Sequence, residues 1–156
     1  MKSSWAIAAL AILMMTSVIA CTDNRVYDQY VHTPINGWEK NDTLVFHLHR
    51  MAITGKYASQ LGVRITNDYP FMGVTLIVEQ TVYPSHRHYV DTLNCKLIDV
   101  KGNSTGIGFS YHQYVFPITT FALNRADSII VKVRHDMKRE ILPGISDIGY
   151  QLRRNQ

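Results

Sequence analysis

Cysteine is scarce in this chain: 156 residues carry two, Cys21 and Cys95. No Cys-x-x-Cys, no His-Glu-x-x-His and no Gly-x-Ser-x-Gly spacing occurs. The motifs of a zinc-thiolate site, a helical zinc protease and a serine-hydrolase elbow are therefore absent. Blocks of one charge are also missing. The formal net charge is +4, the basic residues are scattered, and Arg153-Arg154 is the only adjacent arginine pair. A nucleic-acid face needs a clustered patch or stripe, so no nucleic-acid partner is expected. No long amphipathic helix, internal repeat or low-complexity segment is visible, which leaves a single-domain length to be folded mainly from strands.

What is present begins at the N-terminus. Lys2 opens a short positive region, an apolar run follows from Trp5 to Met15, and Val18-Ile19-Ala20 precede Cys21. A charged start, a short apolar stretch and small residues before a cleavage point make a secretory signal. Val-Ile-Ala-Cys resembles the lipobox of bacterial lipoproteins, which implies acylation of Cys21 and a membrane anchor at the first mature residue. Residues 1–20 are thus read as a lipoprotein signal peptide, 21–40 as the lipidated N-terminus and a tether, and 41–156 as the folded domain. Val26, Tyr27, Tyr30 and Trp38 are expected to dock from the tether onto the domain surface. With Cys21 committed to lipid, Cys95 is left without a disulfide partner. It alternates with Leu93 and Leu97 and is expected on the inner face of a strand.

From Asp42 onward the apolar period is two. Leu44-Phe46-Leu48, Leu61-Val63-Ile65, Val74-Leu76-Val78, Leu93-Cys95-Leu97 and Ile129-Val131-Val133 each offer one apolar face, as strands do. Tyr111 to Pro117 adds an aromatic-rich strand. Asn67-Asp68-Tyr69-Pro70, Tyr83-Pro84-Ser85, Lys101-Gly102-Asn103, Asn124 to Asp127 and Pro143-Gly144 punctuate the runs with turn chemistry. The reading is all-β: a single sandwich, jelly-roll or immunoglobulin-like, of about seven or eight antiparallel strands. Asp136 to Leu142 reads as a short helical turn or a loop.

No catalytic set assembles. His47 and His49, and His86 and His88, have the spacing of ligands on one strand face, but Arg50 and Arg87 adjoin them, and solvated strand positions are the plainer reading. Ser104 sits in the glycine-spaced segment Gly102 to Gly108, which continues into strand character and so reads as a β-turn rather than a phosphate loop. Tyr27, Tyr30, Trp38, Tyr57, Tyr69, Phe71, Tyr83, Tyr89, Tyr111, Tyr114 and Phe116 suit a core, an interface or a sugar-stacking platform. Arg64 and Asp91, each read as lying on the polar side of a strand, are candidates for a cross-strand pair. No enzyme, cofactor or metal is expected.

These residues in their order resemble the GldH gliding-motility lipoproteins of the Bacteroidetes. The resemblance runs from Cys21 and Val26-Tyr27-Asp28 through Gly37-Trp38-Glu39-Lys40-Asn41-Asp42-Thr43-Leu44-Val45-Phe46 and Val63-Arg64-Ile65-Thr66-Asn67-Asp68-Tyr69-Pro70. It continues through Asp91-Thr92-Leu93, Leu97-Ile98-Asp99 and Gly102, Gly106 and Gly108, then closes with His135-Asp136-Met137 and Ile141 to Tyr150. It implies a non-enzymatic lipoprotein serving gliding motility and the associated type IX secretion machinery, with other envelope proteins as partners. Lipidation at Cys21 is the only functional role it carries over. Thr22 after the cysteine does not signal inner-membrane retention, and Asp23 alone makes no acidic export run. The expected place is the periplasmic face of the outer membrane, lipid-anchored. A carbohydrate-binding envelope lipoprotein is the alternative.

Overall fold

The period-two runs become strands in the computed structural model, which describes residues 24–155. The expected signal peptide and Cys21 lie outside the described residues. Ten strands form: β1 Arg25–His32, β2 Trp38–Glu39, β3 Leu44–Leu48, β4 Gly55–Thr66, β5 Gly73–Tyr83, β6 Arg87–Lys96, β7 Tyr111–Leu123, β8 Ser128–His135, β9 Ile141–Leu142 and β10 Ile145–Arg154. One four-stranded sheet has the order β1-β10-β4-β7, the other β3-β8-β5-β6, and β2 pairs with β9 in a separate ribbon.

The pairing has a simple logic. β1 pairs with β10, β2 with β9, β3 with β8, β4 with β7 and β5 with β6, all antiparallel. The chain is one long hairpin whose arms stay paired while it rolls over itself, so that successive pairs fall on alternate sheets. With the two-residue β2 and β9 set aside, this is the jelly roll, one of the two sandwich forms expected. The β3–β4, β5–β6 and β7–β8 connections and both described chain ends share one end of the sandwich. The other connections share the opposite end.

The inward positions are apolar: Leu61, Val63 and Ile65 from β4 face Leu76 and Val78 from β5 and Val131 and Val133 from β8, all buried. Tyr150 of β10 crosses the core, where its hydroxyl donates to Gln80 Oε1 of β5 at 2.6 Å. Both side chains are fully buried, so this bond ties one sheet to the other inside the core, where a lost partner costs most. Cys95 lies on the inner face as expected, and burial pushes its thiol up to about 12.

Three expectations need correction. The expected tether, 21–40, is folded over its described part: Arg25–His32 is a strand of the first sheet, and Trp38 is buried in the core rather than docked on its surface. The folded domain therefore includes Arg25 rather than beginning at 41. The segment Asp136 to Leu142, read as a helical turn or a loop, is loop as far as Glu140, but its last two residues are a strand paired with Trp38 and Glu39. Arg64 and Asp91 do not pair, because Arg64 stands on β4 of one sheet and Asp91 on β6 of the other.

The β2–β9 ribbon caps the end where β1 finishes. Trp38 Nε1 donates to the Asp42 carbonyl at 2.9 Å. The His135 ring stands edge-on to the indole at 5.3 Å and shares a 3.0 Å bond with the Trp38 carbonyl through Nε2. Met137 N–H donates to His135 Nδ1 at 3.4 Å. With one ring nitrogen accepting and the other donating, the imidazole is neutral. Burial, the largest cause, lowers its pKa below the ordinary 6.5.

Candidate docking surface

On a half-buried sheet, alternate residues point outward, and the outward rows of the β1-β10-β4-β7 sheet are unusual. One row reads Tyr30, Gly149, Gly62, Val115 and the next His32, Asp147, Arg64, Gln113. Gly149 and Gly62 are neighbours, and the Tyr30 ring lies across both. A Cβ at Gly149 would fall 2.5 Å from Tyr30 Cε1, and one at Gly62 would also strike the ring. The glycines leave the trough, and an aromatic from the edge strand fills it.

Arg64 stacks on that ring, its guanidinium carbon 3.8 Å from the centroid, with the Tyr111 ring of the neighbouring β7 5.7 Å away. Its Nε donates to Gln113 Oε1 at 2.9 Å. Its terminal nitrogens hold no hydrogen bond or ion pair among the described residues. Beside it, Asp147 pairs with His32 and accepts from Ser146 Oγ at 2.8 Å. Two rings and an amide thus hold an arginine fork in place with its donors open to solvent. Such a fork fits a planar acceptor and loses little side-chain freedom when it binds one.

An apolar rim adjoins the arginine. Ile107 is 85% exposed, Phe109 94%, Val115 50% and Tyr111 49%. The loop carrying the first two is not loose. Ile107 and Gln113 exchange backbone bonds of 3.0 and 2.8 Å, and Asn67 Nδ2 donates to the Phe109 carbonyl at 3.4 Å. Gly108 holds φ at +136°, and a Cβ there would run into the Tyr111 carbonyl. The loop and the start of β7 enclose a recess of about 500 Å³ lined by Ile107, Phe109, Tyr111, Gln113 and Val115. Exposed aromatic and aliphatic residues around a fixed arginine have the composition of an interface centre.

The other sequence candidates are placed differently. His47 and His49 belong to the β3 side and His86 and His88 to the β6 side, the two opposite edges of the second sheet, so the pairs do not converge. Ser104 is used structurally: its hydroxyl and the Tyr114 hydroxyl lie 2.5 Å apart, and Tyr114 donates to the Leu97 carbonyl at 2.6 Å. The Gly102 segment is a turn closed by Asp99, whose Oδ1 accepts the Lys101 and Asn103 amides at 2.8 and 2.9 Å. It leads into β7 and not into a helix. Of the eleven aromatics weighed as a sugar platform, Tyr111 alone is exposed. Sequence reasoning missed Phe109 and Ile107, although apolar residues alternating with Gly106 and Gly108 are a visible sign of a presented loop. It also missed the Tyr30–Arg64 stack, which needs the β1 and β10 registers.

The sequence model described as GldH lipoprotein matches residues 25–152. The chain is 29% identical over 150 residues to the gliding motility lipoprotein GldH of Flavobacterium johnsoniae, covering 90% of this chain and 93% of that one. It is 25% identical over 145 residues to a GldH homolog of Christiangramia forsetii, covering 87% and 88%. Among solved structures it is similar to a protein from Sulfurospirillum deleyianum at a TM-score of 0.47 and 9% identity, over 83% of this chain and 98% of that one.

Proposed function

The chain belongs to the GldH lipoprotein family, and from that membership we propose that it is a non-enzymatic accessory component of the gliding-motility and type IX secretion machinery. Acylation at Cys21 anchors it, on the periplasmic face of the outer membrane. The domain then presents the Arg64 surface to another envelope protein. The observation that carries this reading is the arginine held between Tyr30 and Tyr111 beside exposed Phe109 and Ile107. That arrangement serves contact rather than turnover: the titratable groups of the patch, Tyr30, His32, Arg64, Tyr111 and Asp147, form no nucleophile-and-base pair.

Crosslinking and recovery of the tagged protein from native membranes tests the proposal. Recovery of motility or secretion components, lost in Arg64→Glu and in Phe109→Asp while the protein stays in the membrane fraction, supports it. A Cys21→Ser protein that still fractionates with the outer membrane overturns the anchor. Unchanged recovery in both surface variants overturns the docking surface.

A further inference from the structure

The end of the sandwich where the described chain begins differs in charge from the rest. The β1 start, the β3–β4, β5–β6 and β7–β8 connections and the β10 terminus meet there. Exposed at this end are Arg25, Arg50, Lys56, Arg125 and Arg153, with Arg87 and Arg154 half-buried. The acids near them among the described residues are already held. Asp127 is buried, accepts the Asn124 amide at 2.9 Å and faces Arg87 at 3.5 Å. Asp28 is bonded by Arg25 at 3.0 Å and by Gln151 at 2.9 Å. Glu39, Asp42, Asp68, Asp99, Asp136 and Glu140 all lie in or beside the connections of the opposite end.

The same end is clamped. Met51 N–H donates to the Asp127 carbonyl at 2.7 Å, Ala126 N–H to the Met51 carbonyl at 2.8 Å, and Arg125 N–H to Thr54 Oγ1 at 2.8 Å. Arg154 N–H reaches the Asn24 carbonyl at 2.9 Å. An apolar cleft of about 410 Å³ opens among Val26, Tyr27, Leu48, Met51, Ile53 and Tyr57, with Arg50 and Arg154 also on its wall. Ile53 and Val26 are exposed beside it.

Position supplies the occupant. Asn24 is three positions after Cys21, and an extended chain covers about 3.5 Å per residue, so this end stands about 10 Å from the anchoring cysteine at most. We infer that this basic end, with Ile53 and the cleft at its centre, lies against the anionic phospholipids of the leaflet that holds the anchor. Scattered surface cations within a Debye length of a negative leaflet are each drawn to it, and a fixed body under a short anchor adds their attractions. The docking surface around Arg64 then faces away from the lipid. The inference rests on acylation at Cys21, proposed above.

The test uses the full lipidated protein, reconstituted in vesicles of phosphatidylethanolamine and phosphatidylcholine with or without phosphatidylglycerol. A polarity-sensitive fluorophore is attached at Ile53→Cys or at Phe109→Cys. Acylated Cys21 and buried Cys95 leave the introduced thiol as the reactive one. The expected result is a blue shift at position 53 that phosphatidylglycerol increases, that salt reverses, and that is lost in Arg50→Glu with Arg125→Glu. Position 109 stays water-like throughout. A protein that floats with phosphatidylglycerol vesicles while its position 53 emits like position 109 overturns the inference and leaves the anchor standing. A protein that floats with neither vesicle overturns the anchor and the inference together.

Discussion

Replacing Gly149 by alanine tests the first sheet at its least legible point. The new Cβ meets Tyr30 Cε1, Cζ and Cδ1 at 2.5, 2.6 and 2.7 Å, well inside the roughly 3.5 Å at which carbon atoms rest. Tyr30 sits on an edge strand, so the ring can swing outward while the backbone stays. Swinging forfeits the Arg64 stack, about 0.5–1 kcal/mol at a partly exposed site, and about 1 kcal/mol of apolar burial from a half-buried ring. The alanine returns about 0.5–1 kcal/mol, because it has less backbone freedom to lose in a strand than glycine. The net expectation is destabilisation by about 1 kcal/mol. With Tyr30→Ala already in place there is nothing to strike, so the same substitution should stabilise by about 0.5 kcal/mol. The coupling between the two sites is thus about 1.5 kcal/mol, large for residues on different strands. Urea unfolding followed by the fluorescence of buried Trp38 measures all four corners. Equal destabilisation in both backgrounds, or a stabilised single variant, would refute the stacked arrangement.

Other expectations concern the core and the surface. Tyr150→Phe leaves Gln80 with a second unpaired polar atom, since its Nε2 is already without a partner; unfolding should show a loss of about 1–3 kcal/mol, and Gln80→Leu in that variant should recover much of it. His135 has a folded pKa below its unfolded value, so its contribution is present in full above about 6.5 and falls as pH drops toward the folded value. Chemical denaturation across that window should show stability declining on acidification, with a shallower slope in His135→Gln. The Cys95 thiol is protonated at neutral pH, being pushed up to about 12, so a thiol reagent should modify the native protein negligibly and the urea-unfolded protein rapidly. Arg64→Ala removes one face of a stack and no ion pair, and melting should register about 1 kcal/mol or less, even where partner recovery is lost.

The strands that alternate cleanly were legible in the sequence because one face of each meets the core. β3, β5 and β8 have the inner residues that their period predicts. The missed strands, β1 and β10, are the two open ends of the rolled hairpin, and each hides its signal for a local reason. β1 carries a bulge between Arg25 and Tyr27 and sends Tyr30 to the outer face, so its aromatics do not keep one phase. β10 carries Gly149 at an outward position, where a glycine interrupts the alternation; the crowding that its sequence suggests is real, and it is buried only because Tyr30 covers it. Each anomaly explains the other, but only after the two strands are paired. Trp38 was misplaced for a similar reason: its strand has two residues, too few for a period. The docking surface depends on neighbours from four strands and was out of reach of any pattern along the chain.

The antiparallel pairing of β1 with β10 also decides how the molecule bears load. In the proposed arrangement a lipid at Cys21 pulls on the first residue of β1, while a partner on the Arg64 surface pulls from the other end of the sheet. The force then runs along the strands. Seven paired positions between Arg25 and His32 resist it together, as a lap joint does, whereas a pull across the sheet would open them one after another. Because β10 lies between β1 and β4, the load passes into the middle of the sheet and not to a free edge. The joint closes only after β10, the last described strand, has arrived, so in that arrangement a domain exported in part would carry an anchor but no strength.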